Sequence, residues 1–146
     1  MEEVIPIDLL RMALLSHRFE KRLADDIGLS VLELHCMIQL FVEKPCCVRK
    51  LTEMLGVEPT STSKILRALD RCGYITRSLD DHDRRMERVA LTHHGVKVIA
   101  RVLSAARVVW EDVLLQFPPD RRLAFMECFH TLTTVFPSNL RSFSAH

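Results

Sequence analysis

The residues best equipped for chemistry gather in the middle of the chain. Thr60, Ser61, Ser63 and Lys64 stand together, and Arg67 and Arg71 follow at helical spacing. Hydroxyls and cations in that pattern suit hydrogen bonding to polar edges and the neutralising of phosphates. A second cluster is Asp80-Asp81-His82-Asp83-Arg84-Arg85. As an enzyme's acid–base or metal site, Asp81, His82 and Asp83 fail on physical grounds. Neighbours on a turn diverge into water, so nothing tunes their pKa values. The five cysteines (Cys36, Cys46, Cys47, Cys72, Cys128) are odd in number and contain no C-x-x-C pair. That excludes a disulfide framework and a structural zinc knot. His93 and His94 are adjacent, about 100° apart on a helix, and do not share a metal. Cys47 is the candidate redox residue. It stands just before a short helix, whose dipole favours a thiolate, and Cys46 beside it could close a strained vicinal bond. The competing reading is a small apolar filler. The phosphate-loop, nucleophile-elbow, zinc-protease and dinucleotide fingerprints are missing. No catalytic residue, cofactor or metal is expected.

These groups need elements to hold them. The chain has 146 residues, 48% of them apolar and 27% charged, enough for one domain with a real core. Four Gly and six Pro allow few turns, which favours long helices over a many-stranded sandwich. No stretch reaches the roughly 18 apolar residues of a membrane span, and the Met-Glu-Glu start lacks a signal peptide's basic residues. A cytoplasmic protein is expected.

Leu9, Met12, Leu15, Phe19 and Leu23 form an apolar stripe over 5–26, with Leu10 and Leu14 beside it and Gly28 as a stop. Ser30 and Glu33 form a capping box for a helix to about Val42. After Lys44-Pro45 come a short helix (48–55) closed by Gly56 and a second helix (58–72) opened by Glu58-Pro59. Thr62, Ile65, Leu66, Leu69 and Cys72 form the inner stripe of that second helix. The period then changes. Residues 74–79 and 87–91 are β-prone and flank the charged tip, which makes a hairpin. Thr92 caps a helix to about Phe117, some 25 residues and roughly 37 Å long. Asp120 is the expected cap of a last helix to Phe136, and the final ten residues are expected to fray. Phe19 and Leu103, taken singly, read as ordinary core.

Helix, glycine turn, helix and charged hairpin form a helix-turn-helix with a β-wing. In detail the stretch resembles the MarR family of transcriptional regulators. The resemblance is carried by Leu51-x₃-Leu55-Gly56-Val57 and by Ser63-Lys64-Ile65-Leu66-x₂-Leu69-Asp70-x₂-Gly73-Tyr74-Ile75-x-Arg77. It continues through Asp80-x₂-Asp83-Arg84-Arg85-x₃-Val89-x-Leu91-Thr92-x₂-Gly95. The chain departs from the family at Thr52, usually Ala, and at Cys47, where a capping Ser or Thr is usual.

The fold implied is mainly α with a small β-wing. One MarR-like domain would span 1–146, with a winged helix-turn-helix lobe at 30–92 between dimerisation helices at 1–29 and 93–146. The partners implied are a second copy of the chain, a pseudo-palindromic duplex DNA and a small-molecule effector, with no membrane. Residues 44–91 hold ten Lys/Arg against seven Asp/Glu, while the remainder holds ten against twelve. The basic excess falls on the motif, as phosphate binding requires. Thr60, Ser61, Ser63, Lys64 and Arg67 are the expected contacts of the recognition helix. The alternative for Thr60 or Ser61 is a helix cap. In the resembling family the Arg at position 85 enters the minor groove and Asp83 holds the wing through an ion pair; Arg84 stands beside them. The family's ligand crevice suggests Met12, His17, Met37, Phe41 and Trp110 as pocket residues. The expected function is a dimeric DNA-binding regulator, a repressor, that responds to a ligand. The alternatives are a thiol-based redox sensor of the same fold and a winged-helix protein–protein adaptor.

Overall fold

The computed structural model describes residues 4–140, with side chains over 7–135. Six helices and three short strands follow the chain: α1 (Val4–Asp25), α2 (Val31–Glu43), β1 (Cys46–Cys47), α3 (Val48–Leu55), α4 (Pro59–Arg71), β2 (Ile75–Leu79), β3 (Glu87–Leu91), α5 (His93–Leu115) and α6 (Pro119–Leu140). They form two compact units, Met1–Ser104 and Ala105–His146. No helix among the described residues is long and apolar enough to cross a membrane.

The first unit is built on local signals. Gly28 takes φ +70°, a left-handed backbone open to glycine, and the Leu29 amide donates to the Ala24 carbonyl at 2.9 Å. The capping box forms in both directions: the Glu33 amide donates to Ser30 Oγ and the Ser30 amide to Glu33 Oε2. Leu34, Met37, Leu51, Leu66, Leu69, Val89 and Ile99 fill the core, all at most 1% exposed. They come from α2, α3, α4, the sheet and α5, so one apolar cluster fixes the whole lobe. In the antiparallel sheet β3 is central, with β1 on one side and β2 on the other.

Thr92 joins two parts of this unit. Its hydroxyl donates to the Gly73 carbonyl at 2.6 Å and accepts from the Gly95 amide at 3.0 Å. One side chain thus caps α5 and ties it to the end of α4. Gly95 is required there for space: a Cβ would stand 2.1 Å from the Tyr74 carbonyl oxygen.

The second unit holds the rest of α5 and α6, joined at Pro118. Its centre is aromatic. Phe117 stacks on Phe125 at 4.3 Å, and Trp110 tilts against Phe129 at 4.8 Å. Arg122 Nε donates to the Phe117 carbonyl and closes the turn.

Several details differ from expectation, among them Cys72, which was expected on the inner stripe of α4 and is instead its exposed C-cap residue. The two-residue strand β1 was unforeseen, because its partner β3 creates it. Helix α6 continues to Leu140, past Phe136; residues 141–146 lie outside the described residues, as does the Phe136 side chain. Asp120 sits in the first turn of α6, one residue inside its Pro119 start, so it complements the helix dipole and does not cap. Leu103 is exposed and Phe19 only half-buried.

Candidate nucleic-acid interface

Helix α4 is amphipathic in the manner its sequence requires. Thr62, Ile65, Leu66 and Leu69 face the core, whereas Thr60, Ser63, Lys64, Arg67 and Arg71 are exposed and Ser61 is half-buried. The helix starts with Pro59 after Glu58, and the Glu58 side chain makes no capping bond. Neither Thr60 nor Ser61 caps it through a side chain either. Their hydroxyls have no intramolecular partner among the described residues. Ser63 is different: its hydroxyl donates to the Pro59 carbonyl at 3.1 Å, which leaves its lone pairs as acceptors.

Thr52, the family departure, has a purpose in packing. Its Oγ1 lies 2.9 Å from the Val48 carbonyl oxygen and 2.9 Å from Thr62 Oγ1. The hydroxyls of α3 and α4 meet where the two helices cross.

The wing is braced on both faces. Arg77 and Glu87 stand diagonally across the strands and pair twice, Nε to Oε1 at 2.6 Å and a terminal nitrogen to Oε2 at 2.8 Å. This pairing holds the Glu87 carboxyl below the usual carboxylate range. On the other face Arg88 meets Asp80 at 3.1 Å. Asp80 also accepts the His82 and Asp83 amides, which lower its pKa. The Asp80 amide donates to the Met86 carbonyl and closes the tip. Asp83 structures the tip by a route other than the expected ion pair: its carboxylate accepts the Arg85 amide at 3.0 Å. The ion pair belongs to Asp80, whose part in the turn sequence reasoning missed. An Asp at the first position of a turn was the available signal.

Sorted by partner, the cations of α4 and the wing fall into two sets. Arg77 and Arg88 are tied to carboxylates. Lys64, Arg67, Arg71, Arg84 and Arg85 are exposed and have no ion-pair partner among the described residues. Within the helix-turn-helix and wing, five cations without an ion-pair partner lie on the outward face of α4 and at the wing tip.

The remaining candidates lie elsewhere. Met12 and His17 are exposed on α1. Met37 is fully buried in the core of the first unit, and Trp110 belongs to the aromatic centre of the second. Phe41 is exposed and lines a cavity of about 270 Å³ with Leu40, Lys44, Pro45 and Leu91. Cys47 is the N-cap residue of α3 and makes no capping bond. Cys46 precedes it in β1 and is buried, and burial pushes its thiol pKa up. Successive residues of a strand point to opposite faces, so the two sulfurs diverge and a vicinal bond is opposed. No group of three or more His, Cys, Asp or Glu fit to hold a metal occurs among the described residues.

Comparison with known proteins agrees with this geometry. Residues 29–86 match the MarR family model. RV1404 from Mycobacterium tuberculosis is similar in fold, with a TM-score of 0.80 at 21% identity over 94% of this chain and 95% of that one. A MarR transcriptional regulator from Methanosarcina mazei Go1 gives 0.75 at 21% identity over 97% and 99%. A mutant of MepR from S. aureus, bound to an oligodeoxyribonucleotide, gives 0.61 at 18% identity over 88% and 95%. No curated protein matches the sequence.

Proposed function

We propose that this chain, whose residues 29–86 match the MarR family model, is a dimeric, sequence-specific DNA-binding transcriptional regulator. Its role is that of a repressor whose hold on an operator is set by a small ligand or another signal. One observation carries the reading: α4 and the wing tip together present five exposed cations without an ion-pair partner, while the other arginines of the wing are consumed by carboxylates. A surface that keeps five cations unpaired at two adjoining elements is suited to a polyanion. Helix α4 supplies hydroxyls and Lys64 for base edges in the major groove, with Arg67 and Arg71 for phosphates. The wing supplies Arg84 and Arg85, and a narrow A·T-rich minor groove attracts Arg. An adaptor that had lost DNA binding would show acids on this face, yet none stands on α4 before Asp70.

The test is selection of bound duplexes from random DNA, followed by affinity across a salt series. Arg85→Ala should weaken both the selected and a scrambled duplex and flatten the salt slope by about one counterion. Lys64→Ala should cost about 1–3 kcal/mol on the selected duplex and change the preferred base inside the half-site. Should Arg85→Ala bind both duplexes as tightly as the parent, the wing takes no part and the mechanism is wrong.

A further inference from the structure

Thr62 is fully buried, yet it stands between Ser61 and Ser63 on the helix assigned to base reading. Its hydroxyl meets that of Thr52, ten residues earlier on α3, at 2.9 Å. Each hydroxyl has one hydrogen and two lone pairs, so one of the two donates across the pair and the other accepts. Thr52 Oγ1 stands 2.9 Å from the Val48 carbonyl oxygen of its own helix and 2.9 Å from Thr62 Oγ1, and Thr62 Oγ1 stands 3.5 Å from the Glu58 carbonyl oxygen. No buried side-chain nitrogen or oxygen is left unpaired among the described residues. We infer that the Thr52–Thr62 hydroxyl pair is a positioning device that fixes the rotation and register of the recognition helix against α3, and thereby sets base discrimination.

The physical reason is directionality. The buried cluster that α3 and α4 share is otherwise apolar, with Leu51, Ile65, Leu66 and Leu69 in it, and the non-directional attraction of apolar groups tolerates small slides. A hydrogen bond between two β-branched side chains does not. Threonine is stiff at χ1, so the bond fixes backbone to backbone. Base edges are read only within a narrow tolerance of position and angle. A link directly behind Ser61 and Ser63 acts where that tolerance is tightest, while phosphate contacts through longer Lys and Arg side chains absorb a shift.

The inference rests on the DNA-binding reading, and the experiment separates the two. Thr62→Val keeps shape and removes the link; Thr52→Ser and Thr62→Ser keep the hydroxyls. Each is measured in the full chain for thermal unfolding and for affinity on the selected and the scrambled duplex. Thr62→Val should lower affinity for the selected duplex about tenfold and leave the scrambled one unchanged. The two Ser variants should recover most of the ratio. A Thr52→Val/Thr62→Val double variant should lose no more than Thr62→Val alone, because one link is cut either way. If Thr62→Val and the double variant alter only the melting temperature and keep the ratio of the two affinities, the pair is merely structural and the inference fails. A parent that selects no duplex at all overturns the DNA-binding reading itself, and the inference with it.

Discussion

At the scale of single residues, sequence reveals which chemical types are present more readily than whom they meet. The Ser30–Glu33 box was legible because both partners lie three residues apart in one local pattern. Asp83 was assigned an ion pair by resemblance, and its carboxylate serves a backbone amide instead. The Arg77–Glu87 pairing and the Thr52–Thr62 contact each join residues ten apart, and only the folded register brings them together. Gly95 is a further case. Its place in the Leu-Thr-x-x-Gly run was evident, but its reason is the Tyr74 carbonyl passing within 2.1 Å of where a Cβ would stand. The obstacle is backbone, anchored by the Thr92 amide at 2.9 Å, and cannot swing aside. Gly95→Ala should therefore destabilise the first unit by about 3 kcal/mol, at the upper end of overpacking costs. Denaturant unfolding would show it as a lower midpoint, and an unchanged midpoint would mean that the wing and α5 separate freely.

At the scale of elements, the short helix α3 and the strand β3 fell where the pattern put them, because glycine, proline and alternation mark their ends. Strand β1 did not show, since two residues have no period and owe their pairing to β3. The wing is the element whose stability is most electrostatic. Arg77 depresses the Glu87 pKa, so the folded state binds that proton less readily than the unfolded chain. The stabilisation is then fully present above the ordinary Glu range near about 4.3 and is lost as pH falls through the lower folded value. Glu87→Gln lacks this titration. The melting-temperature gap between parent and variant should be constant near neutrality and narrow in acid. A gap that held steady down to strongly acidic pH would show that the Arg77 pairing contributes nothing. Both side chains are about one-third exposed, so solvent screening keeps the effect small.

At the scale of the whole molecule, periodicity found the apolar stripes but could not tell a core face from a face that meets another chain. On α1 the expected stripe is largely at the surface: Leu9, Met12 and Leu15 are exposed, and Leu10 is 71% exposed. On α6 Leu123 is 67% exposed, and Met126, Phe129 and Leu132 are exposed as well. Scattered apolar residues are ordinary on a surface, but repeated ones along a long helix mark an interaction face, and α1 and α6 each carry one. A two-fold dimer would cover such faces with self-complementary contacts. It would also set two recognition helices about 34–36 Å apart, the spacing of one turn of duplex. The parent should therefore sediment at twice 16.8 kDa at micromolar concentration without DNA. Leu10→Arg or Leu123→Arg should shift it toward the monomer, because each places a charge on an apolar face at no cost to the buried core. Such variants should keep the lobe's unfolding transition while losing most affinity for a duplex with two half-sites and little for one with a single half-site. If the parent itself sediments as a 16.8 kDa species, neither the dimer nor the half-site spacing drawn from it survives.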